Sequence, residues 1–234
     1  MYFDYNRVPV YRMIPLRDVI PSRTTPFVTV GIIAVNVLAF WFELSLTPAS
    51  RQVFIRGFGI VPAEFAWTTL VSSMFLHGGW LHIIGNMWYL WIFGDNVEDR
   101  LGHGRYLVFY LLCGATAGLA QTFVSPDSYV PTIGASGAIA GIMGAYFVLY
   151  PHSRVLTLIP LFIFIEIIEI PAVFFLGFWF LMQLFSGAGS IAHTTGSQGG
   201  IAFWAHVAGF VVGLGGVFAF RKPERQRVEW WNER

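Results

Sequence analysis

"TIGASGAIAGIMGAYFVLY", residues 132–150, is small or apolar at nearly every position, yet Ser136 sits in a Gly-Ala-Ser-Gly corner near its start. A stretch this rich in glycine and alanine and free of charge suits a helix packed closely among others inside a membrane, where small residues let backbones approach. The rest of the chain belongs to the same solvent. Hydrophobic residues make up 56% of the 234 and charged residues 12%, with a mean hydropathy of +0.62, so there are too few charges to cover a soluble globule. A net charge of +1 argues against a nucleic-acid partner, and the one cysteine, Cys113, cannot form an internal disulfide. The first 25 residues hold arginines, aspartates and prolines without a long apolar core and do not read as a signal peptide.

Outward from 134–150, five more segments approach the roughly 20 apolar residues that a hydrocarbon core about 30 Å thick requires. They are 27–46, 69–93, 105–124, 168–187 and 201–220. The 134–150 segment is short, which suggests that it begins below the membrane surface. Between it and the next helix, residues 155–166 read as an interfacial connector. The fifth helix is expected to start near Glu169, because carboxylates and Pro171 suit a helix N-terminus better than a bilayer centre. The expected fold class is thus an all-α membrane protein with six transmembrane helices. Its expected parts are an N-terminal tail at 1–26, a helical domain at 27–220 and a C-terminal tail at 221–234.

Lys and Arg set the expected orientation, since they accumulate on the cytoplasmic side. Arg7, Arg12, Arg17, Arg23, Arg100, Arg105, Arg154, Arg221, Lys222, Arg225, Arg227 and Arg234 fall on one side of the six-span reading, against Arg51 and Arg56 on the other. Both termini are therefore expected in the cytoplasm. Helices two, four and six then enter from the outer face, and each carries polar groups near that end: His82 with Asn86, Ser136, and His206. Fifteen residues separate Ser136 from Pro151 and His206 from Arg221. At 1.5 Å per residue, both lie about 22 Å above the inner edge, on one level. Helical periodicity puts His206 on a face with Gly209, Gly213 and Gly216, and Ser136 on a stripe with Gly137, Ala140, Gly141 and Gly144. Each polar group thus sits at the outer end of a packing face.

Taken singly these residues decide little. A serine in a membrane helix usually bonds back to its own backbone, and an intramembrane histidine suits proton or metal transport as well as catalysis. Their convergence on one level, with the His82/Asn86 pair one turn apart beside them, singles them out as a group.

The motifs "HGGWLHIIGNMWYLWIFG" (77–94), "VEDRLG" (97–102), "GASGAIAGIMGAY" (134–146) and "AHVAGFVVG" (205–213) occur in order on successive helices. Together they resemble a rhomboid intramembrane serine protease of the compact bacterial six-helix type, and the likeness runs from "IPLRD" at 14–18 through helix six. The resemblance implies Ser136 as nucleophile, His206 as general base, and His82 and Asn86 as oxyanion donors. Gly134, Gly137 and Gly209 would shape the site around them. It further implies hydrolysis of a peptide bond in or near the transmembrane segment of single-span membrane proteins. The site would open to the extracytoplasmic side of the cell membrane, with the lipid bilayer as surroundings and neither cofactor nor metal. In some family members an aromatic residue one turn after the nucleophile stacks on the histidine. Here that position is Ala140, which leaves the group that orients His206 unassigned.

The chemistry is consistent with that reading. A serine hydroxyl needs a base within hydrogen-bond reach, and no carboxylate shares its level, so a dyad is expected and not a triad. A water-accessible cavity is required, rimmed by "HGGW" (77–80) and the glycine-rich stretch 186–200, which by resemblance acts as a lid. His77 and His193 suit structural or rim roles. Two rival classes are an inactive rhomboid-like protein that binds membrane helices, and a channel or transporter. The first would be expected to lack Ser136 or His206. The second would be expected to continue polar groups toward the cytoplasm, where helix four is instead small and apolar as far as Tyr146.

Overall fold

The structure, a computed structural model, describes residues 13–161, 164–192 and 202–222. Prolines and glycines punctuate the apolar runs. Helix α1 (Phe27–Ser45) follows Pro26, and α2 (Pro48–Phe58) has a proline at its first position and Thr47 as its cap. A single turn, α3 (Thr69–Ser72), continues as a 3₁₀ turn at Ser73–Phe75. The long helix α4 (Trp80–Leu101) follows Gly78–Gly79 and ends on Gly102, whose φ of 82° lets α5 (His103–Val124) start at once in a new direction. Then come α6 (Ser136–Leu149), α7 (Ala172–Ala192) and α8 (Phe203–Phe220). Among the described residues, four helices are long and apolar enough to cross a membrane: α1, α5, α7 and α8. Helix α6 is apolar but shorter, so the chain is a multi-pass membrane protein.

Helix α6 is the centre of the bundle. Every residue from Gly137 to Tyr146 is buried, and α4, α5, α7 and α8 all pack on it. Its 14 residues rise about 21 Å, less than a bilayer core. Small side chains set how close the neighbours come. A Cβ on Gly137 would stand 2.6 Å from Cβ of Ala117 on α5, and one on Gly209 or Gly213 of α8 would run into the carbonyl oxygen of Gly137 or Gly141. Gly216 faces Phe109 of α5 instead.

Three expectations about the elements are corrected. The chain is mostly helical but not all-α: β1 (Ile14–Asp18), β2 (Arg154–Leu161) and β3 (Phe164–Pro171) form an antiparallel sheet in the order β1-β2-β3. Arg154 pairs with Pro171, and Asp18 with Val155. The stretch read as an interfacial connector is therefore a β-hairpin, and the segment read as a tail supplies its third strand. β-branched residues recur through "RVLTLIPL" and "FIEIIEIP", and Val155 and Thr157, two apart, are both buried, a period-2 pattern that suits a strand. Glu166 and Glu169 accordingly lie on β3, and α7 starts after Pro171. The second helix was expected at 69–93 but runs from Trp80 to Leu101, because the Gly78–Gly79 pair breaks it early and its last turns find polar partners.

Those partners explain "VEDRLG". Pro26 provides no side-chain cap for α1, and Glu98 from the end of α4 does so instead. It accepts from Val28 N at 2.9 Å, Thr29 N at 2.8 Å and Thr29 Oγ1 at 2.7 Å. Asp99 accepts from the backbone N–H groups of Arg23 and Thr24.

β1 is held to the bundle through Asp18, which accepts from Tyr146 Oη at 2.6 Å and Asn96 Nδ2 at 2.9 Å. Burial, with a contribution from the Asp95 carboxylate nearby, pushes its carboxyl up from 3.8 to about 6 against the opposing Tyr146 hydrogen bond. Between those values the folded chain holds a proton that the unfolded chain has released, so stability falls as pH rises through that window and is level above it. Asp18→Asn removes this titration. Its melting temperature in detergent should gain on that of the native chain as pH rises from about 4 to about 6, by the equivalent of about 1–2 kcal/mol once screening at a partly buried carboxyl is discounted. A difference that stays constant with pH would show that Asp18 does not titrate there.

Candidate active site

The turn before α6 is pinned on both sides. Thr132 exchanges backbone hydrogen bonds with Ile60, at 2.8 and 3.0 Å, and Gly134 N donates to Ser73 O at 2.9 Å. Gly134 then takes a φ of 120°, a conformation that side chains rarely adopt, and the chain turns into α6 with Ser136 as its first residue. The N–H groups of that first turn have no acceptor within the helix, so the serine sits beside free backbone donors.

His206 lies in the first turn of α8, on the face toward α6. Its Nε2 is 2.8 Å from Ser136 Oγ, and its Nδ1 is 2.8 Å from Gln183 Oε1 on α7. Trp179, one turn before Gln183, has its ring 5.9 Å from the imidazole with the planes 37° apart. The close α6–α8 contact makes the serine–histidine pair possible: the two helices touch backbone to backbone just below it, at Gly137 and Gly209.

His82 and Asn86 reach the site from α4. A Cβ on Gly134 would stand 2.7 Å from His82 Nε2 and 3.5 Å from Asn86 Nδ2, so the space over this glycine is taken by those two donors. Asn86 is 8% exposed and its Nδ2 donates to His77 Nε2 at 2.9 Å. His77 is fully buried, its backbone N–H donating to Glu43 Oε1 at 3.0 Å and its backbone carbonyl accepting from Arg51 Nη2 at 3.0 Å. A cavity of about 30 Å³ opens beside Ser136, lined by Met74, Gly114, Ala117, Gly137 and Ala205 among others, large enough for a water molecule.

The model of the rhomboid domain matches residues 64–223, from before α3 through α8. The chain belongs to the rhomboid family. Its presenilin-associated rhomboid-like mitochondrial relative from Bos taurus is 34% identical over 142 residues, which are 57% of this chain and 36% of the relative. Rhomboid protease GluP of Bacillus subtilis is 36% identical over 125 residues, 51% of this chain and 24% of that protein. The putative rhomboid protease YdcA of the same organism is 32% identical over 128 residues, 53% and 62% of the two chains. The chain thus spans about a third or less of the first two relatives and 62% of the third, under two thirds of each.

In this rhomboid domain, Ser136, His206, His82, Asn86 and Gly134 come together, with Gly137 and Gly209 forming the helix contact below them. His77, expected in a structural or rim role, is buried and bonded to Asn86. Gln183 and Trp179 went unread in the sequence. A glutamine within "FFLGFWFLMQLF" was the available signal, since an amide inside an apolar helix needs a partner. His193, the 193–200 part of the expected lid, and Arg7, Arg12, Arg225, Arg227 and Arg234 lie outside the described residues.

Proposed function

We propose that this chain is an intramembrane serine endopeptidase that hydrolyses a peptide bond in or near the transmembrane segment of a membrane-protein substrate. The observation that carries the reading is the 2.8 Å approach of Ser136 Oγ to His206 Nε2 inside the bundle. Membership in a family with relatives named as proteases supports it. In this reading His206 Nε2 takes the hydroxyl proton as Oγ attacks the substrate carbonyl. Negative charge then develops on the carbonyl oxygen, and His82, Asn86 and the backbone N–H of Ser136 stabilise it. The proton passes to the departing amine, and a water molecule repeats the sequence to free the acyl group and restore Ser136. We further propose six spans, α1 and α4 to α8, within a domain at 27–220. Both termini would be cytoplasmic and the Ser136 end would open to the extracytoplasmic side of the cell membrane, in keeping with the distribution of Lys and Arg.

Reconstitution with a panel of single-span membrane proteins tests the activity. The expected products are fragments cut in or near the spanning segment, and a fluorophosphonate should label Ser136. Cleavage of no panel member together with no labelling would overturn the reading.

The oxyanion assignment has its own test. Asn86 has two amide protons and the His77 bond uses one of them. Asn86→Ala should lower turnover by about 10²–10³ with KM nearly unchanged, because the second proton matters only once charge develops. Its melting temperature should drop little, by what one hydrogen bond of about 1 kcal/mol accounts for. Turnover at the native rate would remove Asn86 from the site.

A further inference from the structure

We infer that Gln183 is the positioning residue for His206, holding its imidazole in the one tautomer that can take a proton from Ser136, with Trp179 bracing the ring. The inference rests on the proposed roles of Ser136 and His206.

A histidine acting on Ser136 through Nε2 must present a lone pair there, so its single proton has to be on Nδ1. The group facing Nδ1 at 2.8 Å is the carbonyl oxygen of the Gln183 amide, not its NH₂. A carbonyl oxygen only accepts. It therefore favours the Nδ1–H form, whereas in the other tautomer the Gln183 oxygen and the Nδ1 lone pair would repel each other. A carboxylate facing Nδ1 would do the same but would add a charge inside the bundle, where charges are expensive. The amide, with its carbonyl oxygen toward the ring, favours that tautomer without that cost.

The geometry also explains why this role belongs to α7. Ala140 on α6 lies in the contact with α8, where a Cβ on Gly209 would stand 3.4 Å from Cβ of Ala140. Ala140 therefore offers the imidazole a methyl group and no ring to stack on. The face of the imidazole away from α6 is open to α7, and there Trp179 and Gln183, four residues apart and so on one helix face, meet the ring and its Nδ1. Turnover therefore depends on α7 remaining docked against α8.

A purely structural alternative is that Gln183 only ties α7 to α8. Gln183→Leu separates the two. It should lower kcat about 10- to 100-fold with KM within about twofold, since the tautomer and ring angle matter in the proton transfer and not in substrate binding. Gln183→Glu, which keeps an acceptor at the same position, should restore most of the rate. A structural tie would instead show as a lower melting temperature, with kcat per folded molecule unchanged. Nitrogen-15 spectra of histidine-labelled native protein supply a readout independent of activity and of any Gln183 variant folding. The His206 resonance, assigned by its loss in His206→Ala, should report Nδ1–H in the native chain and a mixture of tautomers in Gln183→Leu. A native His206 protonated on Nε2, or a folded Gln183→Leu with native kcat, overturns the inference. Ser136→Ala run in parallel keeps the two questions apart: if it still cleaves, the proposed serine mechanism fails, and if it is inactive while Gln183→Leu is fully active, only the positioning role fails.

Discussion

Ser136→Ala and His206→Ala are each expected to lower cleavage by at least about 10⁴-fold, and the double variant should be hardly slower than either single one. The reason is the geometry of the pair. Ser136 Oγ and His206 Nε2 are 2.8 Å apart, so neither has a useful role without the other: the hydroxyl is a weak nucleophile until its proton leaves, and the imidazole has no other proton to take. Losses from residues that act as a unit do not add. The residual rate should come from the oxyanion donors on α4 and from substrate binding, so KM should change little. Ser136→Ala should melt close to the native chain, because it gives up one hydrogen bond worth about 1 kcal/mol, whereas His206→Ala also gives up the bond to Gln183 and should melt somewhat lower. The check is single-turnover cleavage of a reconstituted single-span substrate. Two single variants whose losses multiply in the double variant would mean that Ser136 and His206 act separately, which the proposed mechanism forbids.

The second large effect is on the scaffold. Gly213→Val should prevent stable folding, and Gly213→Ala should cost about 3 kcal/mol or more, toward or beyond the upper end of ordinary overpacking. A Cβ on Gly213 would stand 2.5 Å from the carbonyl carbon and 2.6 Å from Cα of Gly141. These are backbone atoms of the central helix, so no side chain can rotate away, and relief requires α8 to move off α6. That shift would also open the Gly209–Gly137 contact and draw His206 away from Ser136. The control lies two residues on: a Cβ at Gly215 would meet nothing within 4 Å, so Gly215→Ala should melt and cleave like the native chain. Thermal melts of the purified variants in detergent decide this. Gly213→Ala within a degree or two of native would mean that α6 and α8 are not in backbone contact.

Both predictions concern residues that stand out in the sequence alone. Ser136 and His206 could be placed on one level because residue counts to the membrane boundary need only the rise of a helix. Their glycine stripes could be placed facing neighbours because the period of a helix fixes which residues share a face. The close packing of 134–150 was legible for the same reason, since its small residues recur at helical spacing and let a neighbour approach, whereas its place at the centre of the bundle was not. The β-hairpin at 154–171 was less legible. Its isoleucines, valine and prolines lie between two membrane helices, where an apolar run is ambiguous between strand and helix until a partner strand is found, and β1 lies more than 130 residues earlier in the chain.

Membrane residence and the shared level of Ser136 and His206 are properties of composition and spacing along a single chain, and both could be read from local rules of length and periodicity. The contacts on the far side of the imidazole could not. Gln183 and Trp179 reach His206 only because α7 lies against α8 in one rotation about its axis, and that rotation is set by packing on a neighbour for which the local sequence of α7 has no code. Likewise Glu98 caps a helix about 70 residues away, and Glu43 and Arg51 hold His77 under Asn86, because docking turned polar ends toward each other. Depth is a sum along one chain, whereas orientation is a relation between two helices, and only the folded bundle holds the second.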